Sequence, residues 1–384
     1  MKWTNPGHEY DNLAKRIHSI NKVYVYSTDY KDSQYYILIK LGLQVAFVLA
    51  PLEKKKSTMD CLTLEEFISL PRENHILLLS KYRPNFHEAI QCIESQGYKR
   101  DYDYFIIYPD TRINKFLELY LLYNHNFLII PSLSLISTTV CNLNCHACLN
   151  FTQYNKKRRH MPLEQLCKSV DILFNHVDYV DLFHISGGEP LLYPQLSELC
   201  RYIGNNYREN IGDLSTSTNG TIIPSDDFCT ILRNYNIHMI IDDYRHNVKT
   251  LADKVAQKCN KYNIKTTLNK PNIWIDLAPF STNYSEKTEA WLIEHFEQCA
   301  CPWTELYEDK LASCNYAHYA EEAGIADCDD SAYLDLSQSA IDKKVIYEFR
   351  SRYVKNGYLK FCKRCAGFNN NPNSFTGGGI QVDC

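Results

Sequence analysis

Cys141, Cys145 and Cys148 stand in one octapeptide, separated by three and then two residues, just after the apolar run Leu133-Ser134-Leu135-Ile136. Three thiolates this close can grip one corner of a metal cluster. A closed zinc site wants four protein ligands, and three cysteines cannot all pair as disulfides. A [4Fe–4S] cube takes four thiolates as a rule, so three leave one iron open to a small molecule. A second group, Cys299, Cys301, Cys314, Cys362 and Cys365, gathers further along. A cysteine, a hairpin-like segment, another cysteine and a distant Cys-x2-Cys make a four-thiolate site. Cys301, Cys314, Cys362 and Cys365 are the expected ligands, with Cys299 replacing Cys301 if the register shifts. Structural zinc would use the same four thiolates.

Other segments offer polar groups at strand ends. In Ser186-Gly187-Gly188-Glu189-Pro190 two glycines let the backbone lie close to a ligand. Ser215-Thr216-Ser217-Thr218-Asn219-Gly220 carries short hydroxyl and amide side chains able to hydrogen-bond a ribose, although Asn219-Gly220 also reads as a strand-to-helix turn. Ile240-Ile241-Asp242-Asp243-Tyr244 supplies either a carboxylate facing a pocket or a cap for the next segment of chain. His184 on the second strand reads as a core residue, with a catalytic role as the alternative. Lys156-Lys157-Arg158-Arg159-His160 reads as a solvated basic loop, or as a clamp for a phosphate.

These residues need elements that bring them to one place. Strands are expected at 133–138, 179–186, 213–217, 237–242, 264–268 and 273–278, and helices at 162–175, 193–206, 225–235, 249–262 and 286–297. In a parallel barrel the working loops sit at the C-terminal ends of the strands, and the candidate segments fall there. Ahead of them, strands at 23–26, 45–50, 76–80 and 104–107 alternate with helices at 32–41 and 84–96, which suggests a small parallel α/β domain. A dinucleotide site there would need a glycine-rich turn after the first strand. Ser27-Thr28-Asp29-Tyr30-Lys31-Asp32 has no glycine, so the domain is expected to be structural or to present substrate. Lys54-Lys55-Lys56 reads as a solvated loop, 114–126 as a helix leading into a boundary near Pro131, and Gly377-Gly378-Gly379 as a flexible tail.

With Gly-Gly-Glu-Pro and Thr-Asn-Gly downstream, the C-x3-C-x2-C loop resembles the signature of the radical S-adenosylmethionine (SAM) enzymes. The resemblance implies an α/β fold with a partial (β/α)6 TIM-like barrel at 131–297. The preceding domain, 1–130, is similar to the Rossmann-like modules of some polysaccharide-biosynthesis enzymes. The segment 298–384 resembles a twitch extension, a shortened SPASM domain, which holds an auxiliary [4Fe–4S] cluster. The resemblance implies that Cys141, Cys145 and Cys148 hold the cluster whose open iron binds SAM. It places Gly187, Gly188 and Glu189 at the SAM amino group, and Ser217 and Asn219 near the ribose and carboxylate. The family often has an aromatic residue before the third cysteine; here it is Ala147, beside His146. The implied reaction is reductive cleavage of SAM to a 5′-deoxyadenosyl radical, fed by flavodoxin or ferredoxin, then hydrogen abstraction. A sugar or sugar nucleotide, oxidised or epimerised, is the first expected substrate and a ribosomally made peptide the second. A non-catalytic zinc protein and an electron-transfer iron–sulfur protein are the readings from other classes.

Composition bounds the rest. The 384 residues suffice for two domains and a small third. With 45% hydrophobic and 22% charged residues, the chain reads as an ordinary soluble globular protein. A net charge of -4 argues against general nucleic-acid binding. No run has membrane-spanning length, and the start lacks a signal-peptide core. Sixteen cysteines without a secretion signal point to a reducing cytoplasm and to metal ligation. Those outside the two groups, among them Cys61, Cys200 and Cys384, read as core or incidental residues.

Overall fold

The computed structural model describes residues 1–26, 34–49, 61–81, 85–108, 113–301, 303–338, 341–369 and 375–382. The whole turn after the first strand, Ser27-Thr28-Asp29-Tyr30-Lys31-Asp32, and also Lys54-Lys55-Lys56 and Cys384, lie outside the described residues. The chain forms two compact units, His8–Ile129, and Met1–Gly7 with Ile130–Cys384.

In the first unit, β1 (Lys22–Tyr26), β2 (Gln44–Val48), β3 (Cys61–Leu62), β4 (His75–Ser80) and β5 (Tyr104–Ile107) form one parallel sheet. The spatial order is β3-β2-β1-β4-β5, that of a doubly wound sheet with helices on both faces. All six residues of β4 are buried, which explains its unbroken apolar run. Tyr24, Tyr26, Phe67, Leu77, Leu79 and Tyr104 share one core. The helix expected at 114–126 spans Lys115–His125. Asn114 caps it by accepting from Leu117 N–H, and Asn126 ends it in the left-handed region. β3 and the helices Asp11–His18 and Leu64–Ile68 were not expected; short elements carry too few residues for a period to show.

The second unit is built on β6 (Ile129–Thr138), β7 (Tyr179–Gly187), β8 (Ile211–Thr218), β9 (His238–Asp242) and β10 (Thr266–Asn269). They lie side by side in the order β10-β9-β8-β7-β6. Helices Leu163–His176, Leu196–Tyr207, Asp226–Asn234 and Ala252–Lys261 connect them. Among the described residues this is an α/β partial barrel with parallel strands, and its sheet does not close.

The expected sixth strand is overturned. β11 (Ile273–Ile275) pairs antiparallel with β15 (Phe375–Gly377) in a separate two-stranded sheet. Only Lys270-Pro271-Asn272 separate it from β10, whereas a parallel neighbour needs a crossover of about a dozen residues or more. Past the helix Glu289–Gln298, the sheet is extended from its other edge. β12 (Thr304–Tyr307) lies parallel to β6, and β13 (Lys310–Ala312) and β14 (Tyr333–Asp335) continue it antiparallel.

The flexible tail is also overturned for Phe375–Val382. Phe375–Gly377 pairs with β11, and Gly379 packs so closely that a Cβ there would come within 2.7 Å of Tyr244 Cβ. The first residues are tied down too: Trp3 Nε1 and Gly7 N–H each donate to the buried Glu348 carboxylate at 2.7 Å. Among the described residues no helix is long and apolar enough to cross a membrane.

Candidate active site

Cys141, Cys145, Cys148, Gly187, Gly188, Glu189, Ser217 and Asn219 all line one cleft of about 260 Å³. The loop after β6 carries the cysteines, and the ends of β7 and β8 carry the rest. All three thiols are free. Leu143 N–H donates to Cys141 Sγ at 3.4 Å, and Asn219 Nδ2 lies 3.9 Å from the same sulfur. Burial pushes the Cys141 thiol up to about 12 and the Cys145 thiol up to about 11. Bare thiolates are therefore disfavoured here, whereas a bound cation deprotonates its thiol ligands outright. Among the described residues no three His, Cys, Asp or Glu side chains close on a single ion. Three thiols lining one cleft are the donor type that an iron–sulfur cluster takes.

The two glycines serve first to let two loops touch. A Cβ on Gly187 would lie 2.6 Å from Thr138 O, and one on Gly188 2.4 Å from Val140 O. Gly188 N–H donates to Thr138 O at 2.8 Å and Glu189 N–H to Val140 O at 2.9 Å. The end of β7 is thus fastened to the backbone that leads into Cys141.

Glu189 is fully buried. Its carboxylate accepts from Leu191 N–H at 3.0 Å and Asn219 N–H at 2.7 Å. Burial outweighs these bonds and raises its pKa to about 7. A carboxylate has room for about four hydrogen bonds, so acceptor capacity remains for a cation. Asn219 bonds back to the cysteine loop, its Nδ2 donating to Asn142 Oδ1 at 2.9 Å. The turn reading and the ligand reading of Asn219 are therefore both available to one residue.

The two aspartates after β9 divide the expected roles. Asp242 lines the cleft, and burial raises its pKa. Asp243 faces away, accepting from Arg245 N–H at 3.1 Å and Thr250 Oγ1 at 2.9 Å, as a cap does. Tyr244 and Trp274, which sequence reasoning did not select, complete the wall edge to face at 5.1 Å. His184 is bonded to Ser215 Oγ at 2.8 Å. The basic loop is not wholly solvated: Arg158 donates to Cys141 O at 3.1 Å, and Arg159 pairs with Glu322 at 2.7 Å.

The second cysteine group also assembles. Phe368 N–H donates to Cys299 Sγ at 3.3 Å and Gly367 N–H to Cys365 Sγ at 3.4 Å. Burial, with smaller contributions from the neighbouring Cys314 and Cys299, raises the pKa of both Cys362 and Cys365. Cys301 Sγ donates to Asn315 Oδ1 at 3.3 Å and accepts from Cys314 Sγ at 4.0 Å. The Arg352 guanidinium stands among Cys299, Cys301 and Cys314.

Residues 135–277 match the model of the Radical SAM superfamily. This segment is a radical SAM domain. Membership carries a [4Fe–4S] cluster and SAM as cofactors; the match ends before the second cysteine group. A probable GTP 3′,8-cyclase of Methanocaldococcus jannaschii is 27% identical over 160 residues, 40% of this chain and 49% of that protein. The chain thus spans about half the length of this curated relative. Among solved structures, Streptococcus suis SuiB bound to S-adenosylmethionine is similar over 49% of this chain and 38% of its own, at 19% identity and TM-score 0.29. The anSMEcpe enzyme with bound AdoMet and Cp18Cys peptide is similar over 66% and 93%, at 15% identity and TM-score 0.41. Likeness at this level decides nothing about substrate.

Proposed function

We propose that the protein is a radical SAM oxidoreductase or epimerase acting on a sugar or sugar nucleotide. The observation that carries the cofactor part is the convergence of three free thiols, the Gly188–Glu189 segment and Asn219 on one cleft. Cys141, Cys145 and Cys148 would hold the cluster. Glu189, buried and pre-oriented by two backbone N–H groups, would accept from the SAM ammonium, and the cation would draw its pKa back down. Ser217 and Asn219 would face the ribose and carboxylate. Tyr244 and Trp274 would keep water and stray hydrogen donors from the cleft. With cluster and SAM bound, the chemistry supplied is one-electron cleavage of SAM to methionine and a 5′-deoxyadenosyl radical.

The oxidative outcome is supported by the second thiol group. We assign its ligands as Cys314, Cys362 and Cys365, with Cys301 or, in the shifted register, Cys299 as the fourth. Cys299 and Cys365 accept from backbone N–H groups, and Cys301 accepts from Cys314 Sγ while donating to Asn315 Oδ1. Arg352 would stabilise the negative charge of four thiolates, and the site would take an electron from a substrate radical. Flavodoxin or ferredoxin would supply the reducing electron.

The substrate class rests on the doubly wound first unit, whose order suits a sugar-pathway module. The test incubates anaerobically reconstituted protein, SAM and dithionite with sugar nucleotides or with peptides. Substrate-dependent 5′-deoxyadenosine with sugar nucleotides supports the proposal; a response to peptides alone replaces it with a peptide maturase.

A further inference from the structure

The segment Phe375–Val382 crosses the whole sequence to reach the first cysteine loop. Ile380 O accepts from His146 N–H at 2.6 Å, and Val382 N–H donates to Asn144 O at 2.9 Å. Cys145 and Gln381 form an antiparallel bridge. The Gln381 amide has one orientation, because its Oε1 accepts from Asn144 N–H at 2.8 Å. Its Nε2 therefore faces Cys145 Sγ, at 3.1 Å, and also donates to Gly379 O at 2.9 Å. Cys145 is buried, so water does not compete readily for this bond.

The tail is anchored behind this contact. Gly378 O accepts from His246 Nε2 at 2.9 Å and Asn247 Nδ2 at 2.8 Å. A Cβ on Gly378 would lie 2.1 Å from Pro271 O, and Gly379 has φ +72°. Only glycine takes both positions without strain, so the three-glycine run reads as a seat rather than a spacer.

We propose that Gln381 is a positioning residue for the SAM-binding cluster, its side-chain amide holding the Cys145 thiolate and raising the cluster's reduction potential. The inference rests on the reading of Cys141, Cys145 and Cys148 as the cluster's ligands. Accepting one electron from a donor protein or dithionite adds negative charge that spreads onto the thiolate sulfurs. An N–H aimed at such a sulfur stabilises the reduced form more than the oxidised one, and hydrogen bonds to sulfur are among the groups that set these potentials. Neither the cysteine spacing nor the barrel supplies this donor; a residue 236 positions away does.

The experiment is an anaerobic reductive titration of full-length wild type, Gln381→Leu and Gln381→Glu, followed by electron paramagnetic resonance. The first cluster's signal is identified as the component that changes when SAM is added. Glutamate keeps the acceptor for Asn144 N–H and loses the donor; leucine loses both, while the backbone bonds of Ile380 and Val382 remain. Both variants should keep wild-type iron and show a more negative midpoint. The expected shift is a roughly tenfold fall in the reduced-to-oxidised ratio at fixed poise, about 59 mV for a one-electron couple. An unchanged midpoint in loaded variants overturns the inference, and so does loss of the cluster from both, which would make Gln381 purely structural. A wild type without the SAM-responsive signal removes the cluster reading itself, and this inference with it.

Discussion

Phe151 and Phe361 meet edge to face, their ring centroids 5.9 Å apart. Phe151 lies three residues past Cys148, and Phe361 immediately precedes Cys362. One buried aromatic contact thus joins the segment after the first cysteine group to the segment that opens the last Cys-x2-Cys. Phe361→Ala should cost about 3–5 kcal/mol, of which the ring pair itself accounts for about 0.5–1.5 kcal/mol. Thermal unfolding should record the loss, and iron per chain should fall by the content of the second site. A variant with unchanged iron and melting temperature contradicts the coupling.

Gly188→Ala should displace the cysteine loop. The added methyl would sit 2.4 Å from Val140 O, a backbone atom that cannot swing aside as a side chain does. Anaerobic iron and sulfide analysis should find the first site depleted, with the fold retained by circular dichroism. Gly42, whose added Cβ would meet nothing within 4 Å, is the contrasting position: its φ of +83° predicts about 1 kcal/mol of strain and no effect on iron.

Glu189 should leave a pH signature in the metal-free protein. Its folded pKa, about 7, lies above the ordinary 4.5, so between those values the folded state binds more protons than the unfolded one. Its contribution to stability is present in full below about pH 4.5 and is lost as pH rises to about 7, to the extent of about 3 kcal/mol. Chemical denaturation of wild type and Glu189→Gln across this range checks it. The wild-type curve should fall relative to the variant's, and parallel curves would contradict the burial argument.

The fourth ligand of the second site is one of two neighbouring cysteines. Of Cys299→Ser and Cys301→Ser, the one that removes the fourth ligand should lose the second site's iron and the other should keep it, as iron analysis of each loaded variant would record. Full iron in both variants would contradict a site completed by either cysteine.

Much of this was readable before the fold. The strand–helix alternation from Leu133 to Leu268 places five parallel strands because each is a local apolar pattern bounded by turns. The cysteine, Gly-Gly-Glu-Pro and Thr-Asn-Gly segments converge because each ends a strand of that sheet. What the sequence hid is what depends on distant partners. Ile273–Ile275 has a strand's composition, but its partner lies at Phe375–Gly377. Gly377-Gly378-Gly379 has a linker's composition, but a glycine run is equally what a close seat against Pro271 and Tyr244 requires. Gln381 carries no motif at all. Cys299 and Cys301 differ only by register along the chain, and spacing cannot distinguish them.

The central claim is that Cys141, Cys145 and Cys148 hold a cluster that cleaves SAM. Its most direct test is methionine and 5′-deoxyadenosine formation by anaerobically reconstituted protein with SAM and dithionite, in wild type and in the Cys141/Cys145/Cys148 triple alanine variant. The account predicts both products from wild type and neither from the variant, which should retain only the second site's iron. Wild-type protein that carries zinc alone, or a triple variant that cleaves SAM as fast as wild type, would contradict it.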